Sequence, residues 1–271
     1  MSILEEMLSP LSLQEFSAEY LFRMPYAAPF KASRFKDLIS WQILEDILKA
    51  EHDDCWLPYR GKLPEDPRLS SGKLTKTQMY EGFAQGRTIL VRHAERSHPQ
   101  LKSIADDFYK VFHDPVDIQL YGTPAQQEGF DWHFDAEEVF VIQSVGEKEF
   151  RLRANTTFPW PVPSSTPQHK FFAAERPSPE IRCWLKPGDW LYIPAGYWHK
   201  ARAITPSFHL SVGIMSTTGV GMLQALLPKL TENPLWRRRL PLRASATDTY
   251  QDHLRELISA LSVAMETHKV D

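Results

Sequence analysis

Seven short runs between Val116 and Ile214 set what this chain can become. Val116-Asp117-Ile118-Gln119-Leu120-Tyr121 alternates polar and apolar side chains. Val139 to Gln143, Lys148 to Leu152, Ile181 to Leu185, Trp190 to Ile193, Tyr197 to Ala203 and Phe208 to Ile214 are of similar length, and glycine or proline turns separate many of them. Successive side chains on a strand point to opposite faces, so a period of two over such lengths predicts strands. Several short strands at close spacing predict a sandwich or barrel.

The flanks follow another period. Leu38, Trp41, Leu44 and Leu48 recur at helical spacing, as do Leu101, Ile104, Phe108 and Val111. Ser12 followed by Glu15 is a weak helix-start signal. Thr88 to Arg92 reads as one more strand, and residues 61–76 and the proline-rich 154–180 as loops. Beyond residue 217 two stripes return to helix: Met222, Leu223, Leu226, Leu227 and Leu230, then Tyr250, Leu254, Leu257, Ile258 and Leu261. They fit either a monomer core or a dimer seam. The basic run from Arg237 to Arg243 between them reads as a solvated linker.

A length of 271 residues with 42% hydrophobic side chains allows one large domain, or one domain with an appendage. A net charge of −3 provides no global positive field for nucleic acid or an anionic membrane. The acidic N-terminus has no long apolar run, which argues against a signal peptide or a membrane span. Cys55 and Cys183 read as reduced thiols, and the expected setting is the cytoplasm.

Three residues carry the expected chemistry. His133 and Asp135, two apart on a strand, would face one point. His199 follows a Pro-Ala-Gly turn and could reach that point from a strand two or more positions away. Two imidazoles and a carboxylate leave coordination positions open, which suits non-haem Fe(II). Spacing alone favours a hydrogen-bonded histidine and a turn aspartate, since such pairs often occur by chance; the turn-flanked His199 shifts the reading towards metal. Lys148 shares its strand face with Phe150 and Leu152, so it either snorkels to water or meets an anion. His93, Glu95 and His98 also have ligand-like spacing but read as surface polar residues. His209 and Ser211 face either a pocket or water.

These motifs together resemble the JmjC-type, cupin-like Fe(II)- and 2-oxoglutarate-dependent oxygenases, nearest to the ribosomal-oxygenase and asparaginyl-hydroxylase branch. The matching segments are Tyr121-Gly122-Thr123-Pro124, His133-Phe134-Asp135, Gly146-Glu147-Lys148-Glu149-Phe150, Lys186 to Pro194, Tyr197-Trp198-His199 and Ser207 to Ser211. The resemblance implies a mainly β fold: a double-stranded β-helix (jelly-roll, cupin) core over residues 85–215. An N-terminal helical and loop region, 1–84, would pack on it, and a C-terminal helical region, 216–271, would serve as a dimerisation element. It implies iron held by His133, Asp135 and His199. Lys148 would pair with the far carboxylate of 2-oxoglutarate, Tyr121 would assist, and Gln119 stands where relatives often place asparagine. O₂ would be the other reactant.

Two departures qualify it. Phe130 replaces the threonine that asparaginyl hydroxylases carry three residues before the first iron histidine. No winged-helix domain of the larger ribosomal oxygenases follows the C-terminal helices, which puts a ribosomal protein substrate in question. The expected activity is hydroxylation of a protein, peptide or amino-acid-like substrate, with succinate and CO₂ released. A cupin metalloenzyme that does without 2-oxoglutarate and a non-catalytic cupin binding protein are the alternatives; the first does not need Lys148 on the inner face, and the second needs no open iron position.

Overall fold

The computed structural model describes residues 1–59, 72–162, 173–175, 178–241 and 247–267. It forms two compact units, Met1–Ser216 and Thr217–Asp271. The expected loop at 61–76 falls largely outside the described residues, as does much of 154–180.

In the first unit, α1 (Ile3–Leu8) and α2 (Leu13–Glu19) both begin with reciprocal capping boxes, Ser2 with Glu5 and Ser12 with Glu15. Then come β1 (Tyr26–Ala28), α3 (Trp41–Lys49), β2 (Cys55–Trp56), α4 (Lys76–Ala84), β3 (Ile89–Val91) and α5 (Pro99–Phe112). The buried face of α3 is Ile43, Leu44 and Ile47, so of the stripe expected from sequence Leu44 lies in it while Trp41 and Leu48 sit at its margin. Trp41 covers that margin by stacking on Tyr80 of α4, with ring centroids 4.2 Å apart. The three-residue strand β1 and the two-residue strand β2 are too short to show an alternation and escape sequence reading.

Seven strands follow: β4 (Val116–Thr123), β5 (Glu138–Val145), β6 (Lys148–Arg153), β7 (Ile181–Leu185), β8 (Trp190–Ile193), β9 (Trp198–Ala203) and β10 (Ser207–Ile214). They build one seven-stranded sheet, ordered β1-β8-β5-β10-β4-β3-β2, and one three-stranded sheet, β7-β6-β9. The pairings are antiparallel. This is the double-stranded β-helix of a cupin-like jelly roll, preceded and followed by helices. Helices nevertheless occupy more of the described residues than strands, so the chain is β in its core rather than throughout.

Strand parity separates two apolar layers. Phe140, Trp190, Tyr192 and Leu210 point outward from the large sheet and pack with Phe16 of α2 and Phe108 of α5. The Phe140 ring lies 5.0 Å from that of Tyr192 and 5.3 Å from that of Phe108. Trp190 donates its indole N–H to the carbonyl of Met7, 3.1 Å away, and so ties α1 to the sheet. The intervening side chains, Val139, Val141, Leu191 and Ile193, point inward and meet Phe150, Leu152 and Leu185 of the small sheet. Burying each such side chain contributes about 1.5–3 kcal/mol.

The second unit holds α6 (Gly219–Glu232), α7 (Pro234–Arg237) and α8 (Thr247–Thr267). Thr218 caps α6 by accepting the Gly221 N–H at 3.0 Å. Val220, Leu227, Ile258 and Val263 are exposed on these helices. Arg237, Arg238 and Arg239 are exposed, and Arg243 lies outside the described residues. No helix among the described residues is long and apolar enough to cross a membrane.

Candidate active site

The segment carrying His133 and Asp135 is not the continuous strand its pattern predicts. Between β4 and β5 it runs along β9 and touches it at two isolated bridges, Glu128 with Arg202 and His133 with His199. His199 is thus the immediate backbone neighbour of His133, nearer than the separation of two or more strands expected. Local bonds compete with the ladder here. The Asp131 carboxylate accepts the Trp132 N–H at 2.8 Å, and the Asp131 carbonyl takes His133 Nδ1 at 2.8 Å. Side-chain alternation survives. Phe134 is buried against Trp198, with centroids 4.8 Å apart, so His133 and Asp135 turn to the other side.

There the side chains of His133, Asp135 and His199 converge, with one potential ligand atom from each within 4.8 Å of the others. His133 Nδ1 is engaged by the Asp131 carbonyl and His199 Nδ1 by the Tyr197 carbonyl at 3.0 Å. Both bonds put a proton on Nδ1 and turn Nε2 towards the shared point, the usual arrangement behind metal-binding imidazoles. His199 Nε2 sits 3.3 Å from Asp135 Oδ2. Gly196, at φ +84°, closes the preceding turn and donates its N–H to the Asp135 carbonyl at 2.8 Å. The same turn therefore aims His199 and fixes Asp135.

Burial dominates the electrostatics. It holds His133 down at about 4, helped by the charge of His199. Burial would raise the Asp135 carboxyl, but the hydrogen bond and charge of His199 and the charge of His133 outweigh it and leave it at about 2. Burial likewise lowers His199, and its bond to Asp135 reverses that to a net rise. A neutral His133 and an ionised Asp135 are the forms that bind a divalent ion.

Lys148 points into the same slot from β6 and is buried, 3% exposed. Burial alone depresses its ammonium to about 7. Its Nζ donates to the Thr123 hydroxyl at 3.2 Å and lies 3.4 Å from His209 Nδ1; among the described residues no carboxylate meets it. Burial and the Lys148 charge push His209 well below its ordinary value. His209 stacks flat on Tyr121, with centroids 4.8 Å apart. The Tyr121 hydroxyl donates to Gln119 Oε1 at 2.7 Å, and burial raises the phenol. Gln119, Tyr121, Lys148 and the His133, Asp135 and His199 side chains all line one pocket. Phe130 lines it too, packed against Tyr121 and His133, and the hydroxyl beside Lys148 comes from Thr123 on β4.

Sequence reading left His209 and Ser211 open and missed Thr123, Glu137 and Gly213. The structure turns His209, Ser211, Gly213 and Glu137 into the pocket. The available signal was the row of polar or small residues at every second position of Ser207, His209, Ser211 and Gly213, facing a fully apolar alternate row. The separate group at His93 is half-buried. Glu95 accepts the Ile118 N–H at 2.9 Å, and His93 Nδ1 lies 3.7 Å from both Glu95 and Asp117. Among the described residues, His133, Asp135 and His199 are the cluster with metal-binding geometry.

A jelly roll with this donor set at its open side places the chain among cupin-like proteins with a candidate metal centre. Residues 91–222 match the family model of the JmjC domain. It is 24% identical over 252 residues to the bifunctional lysine-specific demethylase and histidyl-hydroxylase NO66 of Drosophila persimilis, covering 88% of this chain and 36% of the fly protein. It is 27% identical over 238 residues to ribosomal oxygenase 2 of Bos taurus, covering 81% of this chain and 49% of that one. The chain thus spans between a third and a half of these relatives. The ribosomal oxygenase YcfD from Escherichia coli, solved with cobalt and 2-oxoglutarate, superposes with a TM-score of 0.63 at 20% identity, over 93% of this chain and 67% of that one.

Proposed function

We propose that the protein is an Fe(II)- and 2-oxoglutarate-dependent oxygenase that hydroxylates a protein, peptide or amino-acid-like substrate. The observation that carries this reading is one slot lined both by the convergent His133, Asp135 and His199 and by a buried lysine that meets no carboxylate among the described residues. The donor set suits Fe(II) and leaves coordination positions open. Iron held by these three residues supplies oxidative decarboxylation of 2-oxoglutarate, to succinate and CO₂, coupled to C–H hydroxylation. Lys148 offers its ammonium to the far carboxylate, and that pairing restores the charge that burial suppresses. Tyr121 and Gln119 border the same end as hydrogen-bonding groups, while Phe130, Val139, Val141 and Ile193 keep the slot dry. Ala201, beside His199, leaves room for a reactant.

The relatives named for histidyl hydroxylation and as ribosomal oxygenases support a polypeptide side chain as substrate. An N-methyl group at the same position would leave as formaldehyde instead. Within this reading residues 85–215 are the catalytic core, 1–84 its packing partner, and 216–271 a homodimerisation element, for which the exposed Leu227, Ile258 and Val263 speak.

Anaerobic titration with Fe(II) and 2-oxoglutarate tests the proposal. A visible charge-transfer band and slow succinate formation in air are expected from the wild type, both lost in His199→Ala and in Lys148→Ala. Wild-type protein giving neither would sink it.

A further inference from the structure

The pocket is polarised along its length. The inward row of β10 runs His209, Ser211, Gly213, paired across to Tyr121, Gln119 and Asp117 of β4. Lys148 sits beside His209 at one end. Four residues further along, about 13 Å at roughly 3.3 Å per residue, two carboxyl groups meet over Gly213. A Cβ on that glycine would lie 2.3 Å from Glu137 Oε2 and 2.4 Å from Asp117 Oδ1. The two oxygens close in on Gly213 from two sides, an approach that only a residue without a side chain allows.

We propose that Asp117 and Glu137 form the end of the slot that recognises a cationic side chain of the substrate, a guanidinium or an ammonium. The inference rests on reading the slot as an oxygenase site. Asp117 is 8% exposed. Its Oδ2 is engaged, by Gln119 Nε2 at 3.4 Å and His93 at 3.7 Å. Its Oδ1, on the Gly213 side, has no hydrogen-bond partner among the described residues. A buried acceptor left unpaired is costly unless a ligand completes it. Glu137 lines the pocket beside it. Two adjacent carboxyl groups repel each other, and a donor cation placed between them relieves that repulsion. They offer no cation to a dicarboxylate, so the cosubstrate is directed to the Lys148 end and the acidic end is kept for the other reactant. A planar guanidinium, with donors in a fixed fork, can engage both oxygens at once.

The test is calorimetric titration of the full chain, held anaerobically with Fe(II) and 2-oxoglutarate. The probes are Nα-acetyl-arginine amide, Nα-acetyl-lysine amide, free arginine and the neutral isostere Nα-acetyl-citrulline amide. At least one cationic probe is expected to bind about tenfold or more tighter than the citrulline probe. The double variant Asp117→Asn, Glu137→Gln is expected to lose that preference while its 2-oxoglutarate affinity stays within about twofold. Tighter binding of the capped probes than of free arginine identifies a residue within a polypeptide; the reverse order identifies a free amino acid; both support a cation site. Equal binding of citrulline, no binding of any cationic probe, or a preference surviving in the double variant and in both single variants overturns the proposal. The 2-oxoglutarate titration is scored separately, so failure of the oxygenase reading is visible as loss of that binding in the wild type.

Discussion

His133 and His199 exchange backbone hydrogen bonds in both directions, 3.1 Å from the N–H of His133 and 2.7 Å from that of His199. Their rings lie 4.1 Å apart between centroids. The two candidate imidazole ligands are therefore positioned by the main chain before any ion binds, and little reorganisation is needed to use them.

Metal binding should consequently read out as stability. Mn(II) or Co(II) at about a hundredfold excess over its Kd is expected to stabilise the wild type by about 2.7 kcal/mol. His133→Ala and Asp135→Ala should abolish this gain, since each removes one of three ligands. Thermal melts with and without the ion check it; an undiminished shift in either variant would place the ion elsewhere.

Lys148 predicts an inverted stability profile. Its ordinary value of 10.5 applies in the unfolded chain, against about 7 when buried. Between these limits the unfolded state binds the extra proton, so stability rises with pH from 7 to 10.5. Below 7 the full cost of burying the charge applies, on the order of 5 kcal/mol. Lys148→Met, measured without 2-oxoglutarate, should therefore melt higher than wild type at pH 6. The gap should close towards pH 10, while binding of 2-oxoglutarate is lost at both.

The same group should couple cosubstrate binding to protons. At pH 8 the free lysine is mostly neutral, and pairing with a carboxylate recharges it. Calorimetry in two buffers of different ionisation enthalpy should find uptake of close to one proton per 2-oxoglutarate at pH 8 and much less at pH 6. No uptake at pH 8 would remove Lys148 as the carboxylate partner.

Tyr121→Phe should keep the stacking on His209 and lose only the hydroxyl bonded to Gln119. The expected cost is about 1 kcal/mol, visible in denaturant melts, with a several-fold rise in the Kd for 2-oxoglutarate. A hundredfold rise would mean the hydroxyl itself is a main contact.

Gly196→Ala tests the turn. At φ +84° a side chain is strained, and its Cβ would lie 2.4 Å from the Pro159 carbonyl. Destabilisation of about 1–3 kcal/mol is expected, with a larger loss of metal affinity than of fold, because the turn holds both Asp135 and His199. Equal loss of both would make the turn purely structural.

What could be read in advance depended on period and contrast. Lys148 stood out because Phe150 and Leu152 share its parity and Glu149, Arg151 and Arg153 do not; those arginines bond Glu180 on the outer side. The large strands were legible because β5, β8 and β10 each carry a long apolar row. The acidic end was not. Asp117 is the polar half of an ordinary alternation, Glu137 lies outside every motif singled out in the sequence, and only the fold over Gly213 brings them together. The gaps in the His133 segment were hidden for the opposite reason: its alternation is perfect, and local bonds of the Asp131 carboxylate and carbonyl, rather than the pattern, interrupt the ladder.

Those gaps have a consequence for how the site assembles. Residues 126–135 are fastened to β9 by a few separate clamps, at Gln126 and Gln127 with Ala203, Glu128 with Arg202, and His133 with His199. An ion held by His133, Asp135 and His199 would act as a stitch, fastening a loosely sewn hem to the sheet. Amide exchange in this stretch would then report loading with metal, while β5, buried on both faces, would keep the same slow exchange whether or not the stitch is in place.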